Sequence, residues 1–318
     1  MSFDFDAAVR SPFRMQPGLR RLGPGSAPQL TPAVVPHRGA ARHLREKLAV
    51  LWAYPEQALL CQPGFDPGPA LQALAAHAAA EHPQALQIDG PRWWARWLGW
   101  SIDGDDQPQA HDTGWPEIGT LLTQLPPPWR RPALLALAFA EDLAIIDAAS
   151  GTLPWLAVEL PSGWAPEEKI GQHFTQVHAP VADNRLVIQA ADHLMALVTG
   201  AERWERFVWT LTGHPRLHGH PQRLPVPRWP ASLTADQVPA QTWWRTERQT
   251  FLPVPGHRQA VFTIAVQTTP LAQAITTAPE AQQLHDALAT MSPAVLAYRG
   301  LGEVQPVLLQ WLAQRAAA

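Results

Sequence analysis

Three segments near the centre and C-terminal half of the chain repeat with period two, and they constrain the fold more than any other feature. Residues 205–212 place Phe207, Trp209 and Leu211 on one side, and residues 259–268 place Ala260, Phe262, Ile264 and Val266 on one side. Between them, residues 243–252 alternate with mostly polar side chains. Alternation of this kind belongs to half-buried β-strands. Pro253-Val254-Pro255-Gly256 lies between the last two segments, so they are expected to pair as an antiparallel hairpin. Upstream, the apolar run Leu134 to Ile146 is broken only by Glu141 and Asp142, and Ser150-Gly151 marks a turn before a strand over 152–160. Helical spacing predicts helices over 44–60, 69–82, 166–178, 184–199, 280–298 (interrupted near Pro293) and 303–315, with a short one after Pro116 that Pro126, Pro127 and Pro128 end. These elements add up to the α+β class: a central antiparallel sheet flanked by helices, with helical additions at both ends.

Composition narrows what such a chain can do. Hydrophobic residues make up 46% and charged residues 16% of 318 residues, enough to bury a sizeable core. Residues 1–43 are rich in Pro, Gly and Arg and lack period, so they are read as an extended arm over a single domain spanning 44–318. The net charge of −3 argues against nucleic acid as a partner. The lone cysteine, Cys61, forbids a disulfide framework or a cysteine metal cluster within the chain. The opening Met-Ser-Phe-Asp-Phe-Asp carries acid where a secretory leader carries base, and no apolar run reaches about 18 residues. A cytoplasmic protein without a membrane span is expected. No G-x-G-x-x-G, phosphate loop or G-x-S-x-G elbow is present, so nicotinamide and flavin are not expected on this chain.

Two constellations could carry chemistry. In residues 161–181, P-S-G-W-A-P-E-E-K-I-G-Q-H-F-T-Q-V-H-A-P-V, a continuous helix would put Ile170, Phe174, Val177 and His178 on one apolar face. His173 would lie about 140° away at ~100° per residue, so the two histidines could not share one metal. His178 is then either a core-edge histidine bonded to backbone or an axial ligand to a planar group. In T-W-W-R-T-E-R-Q-T, residues 242–250, Arg245, Glu247 and Gln249 share one face of a strand, and Trp244, Thr246, Arg248 and Thr250 share the other. Such a strand is either a solvated charge ladder or the border of a polar pocket. Arginine forks suit carboxylate ligands, and a carboxylate can receive a cationic amine. His214, His218 and His220 cluster in a Pro/Gly loop without an acid or cysteine at usual ligand spacing. Cys61 sits at a helix end in A-L-L-C-Q-P-G-F, and there it is read as a packing residue.

In order along the chain stand P-F-R-M-Q-P-G-L-R-R-L, A-E-D-L-A-I-I-D, L-P-S-G-W-A-P-E-E-K-I-G, V-H-A-P-V, R-F-V-W-T, R-T-E-R-Q-T-F-L-P-V-P and A-Y-R-G-L. This order resembles the heme-binding subunit family of the heme-dependent oxidative N-demethylases, across most of residues 11–312. The resemblance implies a PAS-like sheet, with its core at about residues 130–270, binding heme b. It implies oxygen-dependent removal of a methyl group from a small secondary amine of the dimethylamine kind, with formaldehyde as co-product. Electrons would come from separate flavin and iron–sulfur reductase subunits. Carried onto this sequence, it suggests His178 as the iron ligand, Lys169, Arg206, Arg245 and Arg248 as propionate partners, and Glu247 as the catalytic group that meets the substrate ammonium or relays a proton.

The chain departs from the family pattern at Ala140, where glutamine is expected, at Val208, where asparagine is expected, and at Arg299, where lysine is expected. Phe251-Leu252-Pro253 also replaces an expected arginine. Loss of polar groups from pocket-lining strands keeps a second reading open: a non-enzymatic heme or small-ligand binding or sensor module on the same scaffold.

Overall fold

The computed structural model describes residues 3–23, 25–35, 39–111, 114–224 and 229–318. A seven-stranded antiparallel sheet organises it. Its strands are β1 (Arg20–Arg21), β2 (Leu59–Cys61), β3 (Asp142–Asp147), β4 (Thr152–Ala157), β5 (Trp204–Thr212), β6 (Trp243–Pro253) and β7 (Gln259–Pro270), in the spatial order β1-β5-β6-β7-β3-β4-β2. The three alternating segments read from the sequence are its three longest strands. The expected β6–β7 hairpin forms, with Trp243 opposite Pro270 and Pro253 opposite Ala260. The segment preceding β2 contributes helices Arg42–Ala53 and Pro55–Ala58.

Pairing register assigns the two faces, because directly opposed residues point the same way. One face carries Arg206, Gln249, Ile264 and Asp142 in a single row, and Val208, Glu247 and Val266 in the next. The other carries Glu205, Thr250, Thr263 and Leu143, then Phe207, Arg248 and Ala265. The second face holds most of the core. Helices Arg42–Ala53, Gly68–Glu81 and Pro127–Ala138 pack leucines and alanines against Leu143, Ile145, Trp155 and Val261. Helices Ala278–Ala289 and Gln305–Ala316 do the same at the other end, around Trp209, Leu211 and Trp244. Residues 3–15 join that second cluster through Phe3, Phe5 and Phe13. The rest of the N-terminal arm supplies the edge strand β1.

Several local expectations change. Residues 86–110 form a four-stranded meander, Leu86–Asp89, Arg92–Ala95, Trp100–Ile102 and Pro108–Ala110, behind the helices. The triple proline ends one helix, Pro116–Gln124, and also starts another, Pro127–Ala138. Proline is tolerated in a helix's first turn, where its missing N–H would be unpaired anyway. The predicted helix over 184–199 is two helices, Arg185–Gln189 and Ala191–Val198. Residues 280–298, expected to be helical with an interruption near Pro293, form Ala278–Ala289 and Pro293–Tyr298, so that interruption is where the sequence placed it.

The predicted helix over 166–178 is the correction that matters most. It is a 3₁₀ turn, Pro166–Glu168, followed by a turn through Gly171 and a short helix, Phe174–His178. Gly171 adopts φ +70°, and a Cβ there would lie 2.8 Å from Gln62 Nε2. The left-handed φ favours glycine there. No continuous helical face therefore joins Ile170 to Val177 and His178.

Candidate functional site

The segment 160–198 covers the first face of the sheet. Phe174, Met195 and Val198 pack on Ile146, Phe251 and Phe262 at one end. Trp164, Leu160 and Leu217 pack on Ile264 and Val266 at the other. Between these patches lie Arg206, Val208, Glu247 and Gln249 of β5 and β6, which join no apolar cluster among the described residues. Arg206, Val208 and Gln249 are only half-buried, so this polar strip borders accessible space.

The break before Phe174 decides the roles of the two histidines. His173 is the N-cap of the short helix. Its Nδ1 accepts from Thr175 N and lies 2.8 Å from Thr175 Oγ1, while Gln176 returns a bond to the His173 amide. This capping box satisfies helix-end donors that have no partner within the helix. His173 Nε2 also fills the space beside Gly151, where a Cβ would sit 2.4 Å away. His173 is thus spent on local structure.

His178 closes the same helix. Its Nδ1 lies 2.9 Å from the Phe174 carbonyl oxygen, which can only accept, so Nδ1 carries the proton. The Phe174 ring stands 4.2 Å from the imidazole, centre to centre, and helps hold it. Burial lowers the His178 pKa below its ordinary value; the Phe174 bond opposes this, and the nearby Arg206 and Lys169 charges add to it. Burial and those charges both favour the neutral ring, and with the proton on Nδ1 the half-buried Nε2 is left as a free lone pair. This is the tautomer of a metal-ligating imidazole whose other nitrogen is fixed by a carbonyl.

Lys169 and Arg206 approach the same place. Lys169 Nζ reaches the Val177 carbonyl at 3.5 Å, which stretches the lysine back along the short helix. Arg206 Nε is sealed from solvent and has no hydrogen-bond partner among the described residues. Burial lowers the Arg206 pKa, partly offset by Glu247. An unpaired guanidinium nitrogen is costly to leave unsatisfied, and a bound anionic oxygen would satisfy it. Glu247 is buried beside it in the next row of the strip, and Gln249 Nε2 donates to Glu247 Oε2 at 2.6 Å.

Two further arginines suggested by the resemblance are committed elsewhere. Arg245 shares the site face. Its Nε donates to Ser162 Oγ at 2.8 Å, its Nη1 to the Arg216 carbonyl at 2.9 Å, and its Nη2 to the Leu217 and Pro161 carbonyls at 2.7 and 3.2 Å. It clamps the P-S-G-W loop to residues 216–219. Arg248 projects from the opposite face, where Nε donates to Glu205 Oε2 at 2.8 Å and the remaining nitrogens bind the Ala27 and Pro28 carbonyls. It stands behind the sheet from His178.

Arg299 is half-buried. It donates to the Trp209 carbonyl at 2.8 Å and stacks over Phe13 and Trp209. Desolvation pushes its pKa down to about 10. His218 and His220 bond the Glu159 carbonyl and the Glu167 carboxylate, respectively. Cys61 is exposed, in strand β2.

Among the described residues no cluster of three or more His, Cys, Asp or Glu side chains could hold a bare metal ion. A metal beside His178 would have one protein ligand, and the rest of its coordination would come from the group carrying it. The residues fit that case: one neutral imidazole nitrogen, two cations on the same side and one unsatisfied buried donor. A residue the sequence did not single out, Gln249, orients the carboxylate; its only signal was sharing the strand face with Glu247.

No curated protein gives a significant match to the sequence. Residues 42–309 do match a family profile described as Haem-dependent oxidative N-demethylase, alpha subunit-like, and the match spans nearly all of the sheet and its covering segment. By that match, this chain belongs to the heme-dependent oxidative N-demethylase alpha-subunit-like family.

Proposed function

We propose that this protein binds heme b between the segment 164–198 and the β5–β6 strip, and removes a methyl group from a small secondary amine in an oxygen-dependent reaction. His178 Nε2 is the protein ligand to iron. Lys169 and Arg206 neutralise the propionates, and Arg206 gains the partner that it lacks. Iron-bound heme would supply the oxygen activation that no side chain here can perform.

The chain's own residues supply binding and orientation. The Phe174 carbonyl holds the His178 proton on Nδ1 and keeps Nε2 free. Gln249 fixes one oxygen of Glu247, which leaves the other to receive the N–H of a substrate ammonium. Val208, directly opposite Glu247, makes the adjoining wall apolar and suits the methyl groups of such an amine. Phe174 and Phe262 exclude water from the inner end of the strip. The sheet is read as PAS-like. The reducing electrons come from partner subunits carrying flavin and iron–sulfur centres, a reading supported by the family's description as an alpha subunit. A cytoplasmic location fits a chain in which no helix of the described residues is long and apolar enough to cross a membrane.

The observation that carries this reading is the pairing of a carbonyl-fixed, neutral His178 with an unsatisfied Arg206 across one strip. Protein expressed with ample heme precursor should show a Soret band that His178→Ala removes, and dimethylamine should perturb that band. A colourless wild-type protein overturns the proposal. Heme binding without dimethylamine turnover, when a reductase is supplied, would leave a binding module instead.

A further inference from the structure

A second group of ionisable residues lies wholly inside the molecule and takes no part in the proposed chemistry. Lys47, Asp142 and Glu159 are 0%, 1% and 0% exposed. Lys47 Nζ lies 3.4 Å from Asp142 Oδ1 and 3.4 Å from Glu159 Oε2, and donates to the Ala136 and Glu141 carbonyls at 3.1 and 2.5 Å. Two carboxyls therefore meet over one ammonium.

Their surroundings differ. Asp142 accepts two backbone bonds, from Glu159 N at 3.2 Å and Leu160 N at 2.8 Å. Neither oxygen of Glu159 accepts a hydrogen bond among the described residues. Two adjacent buried carboxylates cannot both ionise cheaply beside one cation. The amides stabilise the charge on Asp142, so the proton belongs to Glu159. Burial is also the largest of the influences that raise the Glu159 pKa, to about 8. The other charged or titratable groups packed around the cluster are His43, Glu46, Glu141, His218 and Arg245. Burial lowers the pKa of both histidines, so neither adds a positive charge at neutral pH.

The cluster sits at the root of the segment that carries the site. Asp142 holds the amides of residues 159 and 160. Residues 160–163 then enter the Arg245 clamp, and the chain continues to Lys169 and His178. Glu46, one residue before Lys47, holds the amides of Leu217 and His218 on the other side of that clamp.

We infer that Lys47, Asp142 and Glu159 form an electrically neutral, single-proton latch that positions the segment bearing Lys169 and His178, and that loss of the Glu159 proton loosens this segment. The functional meaning of that segment rests on the proposed heme site, but the latch itself can be tested without heme. An acid whose folded pKa lies above its unfolded value contributes stability that is lost as pH rises from the unfolded pKa through the folded one. Above about pH 8 the native cluster carries a net negative charge, and carboxylate repulsion works against the bonds to residues 159 and 160.

The test uses full-length wild-type protein and Glu159→Gln, which mimics the protonated acid and cannot titrate. Hydrogen exchange of peptides covering 159–164 is compared between the two proteins at each pH, which cancels the intrinsic pH dependence of exchange. Wild-type protection should fall about tenfold relative to Glu159→Gln between pH 7 and pH 9. The wild-type urea midpoint should also decline more steeply than the variant's between pH 5 and pH 8. Should the variant fold poorly, infrared spectroscopy of Glu141→Gln protein, which lacks the other buried acid whose pKa is raised, decides alone, since a protonated-carboxyl band should persist at pH 7 and vanish by pH 9. Equal protection in both proteins, equal slopes, or no such band at pH 7 overturns the latch.

Discussion

Arg248 and Glu205 form a buried ion pair at 2.8 Å on the face of the sheet turned away from His178. Both side chains are almost fully covered, and Arg20 adds a second bond to Glu205 at 2.7 Å. The pair bolts the N-terminal arm to β5 and β6. Arg248→Ala leaves Glu205 with Arg20 alone and frees the Ala27 and Pro28 carbonyls, and should cost about 2 kcal/mol of stability, read as a lower urea midpoint. The fraction that stays folded should bind heme as wild type does, because the pair stands behind the sheet.

Arg206 should behave in the opposite way. Its Nε has no hydrogen-bond partner among the described residues, so Arg206→Met removes an uncompensated polar group and replaces it with a stem of similar length. The heme-free variant should be as stable as wild type or more stable by about 1 kcal/mol. Its heme affinity should fall roughly tenfold, a loss of the size a charge-assisted bond contributes. Thermal denaturation and heme titration, run side by side, check both halves.

Gly151 illustrates how narrowly the helix bearing His178 is set. It adopts φ +71°, and its missing Cβ leaves the room that His173 Nε2 occupies. Gly151→Ala adds both backbone strain and a clash, so about 2 kcal/mol or more of destabilisation is expected. The capping box should be disturbed with it, and exchange of the Thr175 and Gln176 amides should rise.

Glu141 introduces its own pH dependence. It is buried, accepts the Thr31 amide at 2.9 Å, and has its pKa raised by burial to about 7. Its ordinary value is 4.5. The folded state therefore holds this proton more tightly than the unfolded chain. Stability is fully present below the ordinary pKa and is lost as pH rises towards 7, by up to about 3 kcal/mol at 1.36 kcal/mol per unit. Glu141→Gln should flatten the urea-midpoint profile in that window while leaving the slope that Glu159 contributes up to about pH 8.

The sheet was legible in the sequence because β5 and β7 carry apolar side chains at every second residue. Phe207, Trp209 and Leu211 alternate over a span long enough to exclude helical spacing. The meander of residues 86–110 was not legible, since strands of three or four residues are too short to show a period, and its tryptophans fit any buried element. Pro127 and Pro128 read as a stop because proline breaks helix interiors, yet here they occupy a first turn. The break at Gly171 depends on a close approach of Gln62, more than a hundred residues upstream, which no local pattern encodes. At the site, the family motifs pointed to His178, and chain geometry then separated it from His173. Strand parity set Arg206 and Arg248 on opposite faces, a distinction available in the alternation of 243–252 once pairing was known. The Lys47 cluster left only a trace, Asp142 interrupting the run Leu134–Ile146; Glu159 stands at the end of the next strand-like segment. Their partner comes from a distant helix.

The row Arg206, Gln249, Ile264, Asp142 runs across four neighbouring strands, so the strip proposed to face heme and the inferred latch are cut from one line of the same surface. Insertions in the long connection between β5 and β6 leave that line intact. A single residue added inside β5 would turn Arg206 to the back of the sheet and Phe207 to the front. Descendants of this chain are therefore free to vary the length of its loops, while the spacing within its strands is fixed to the residue.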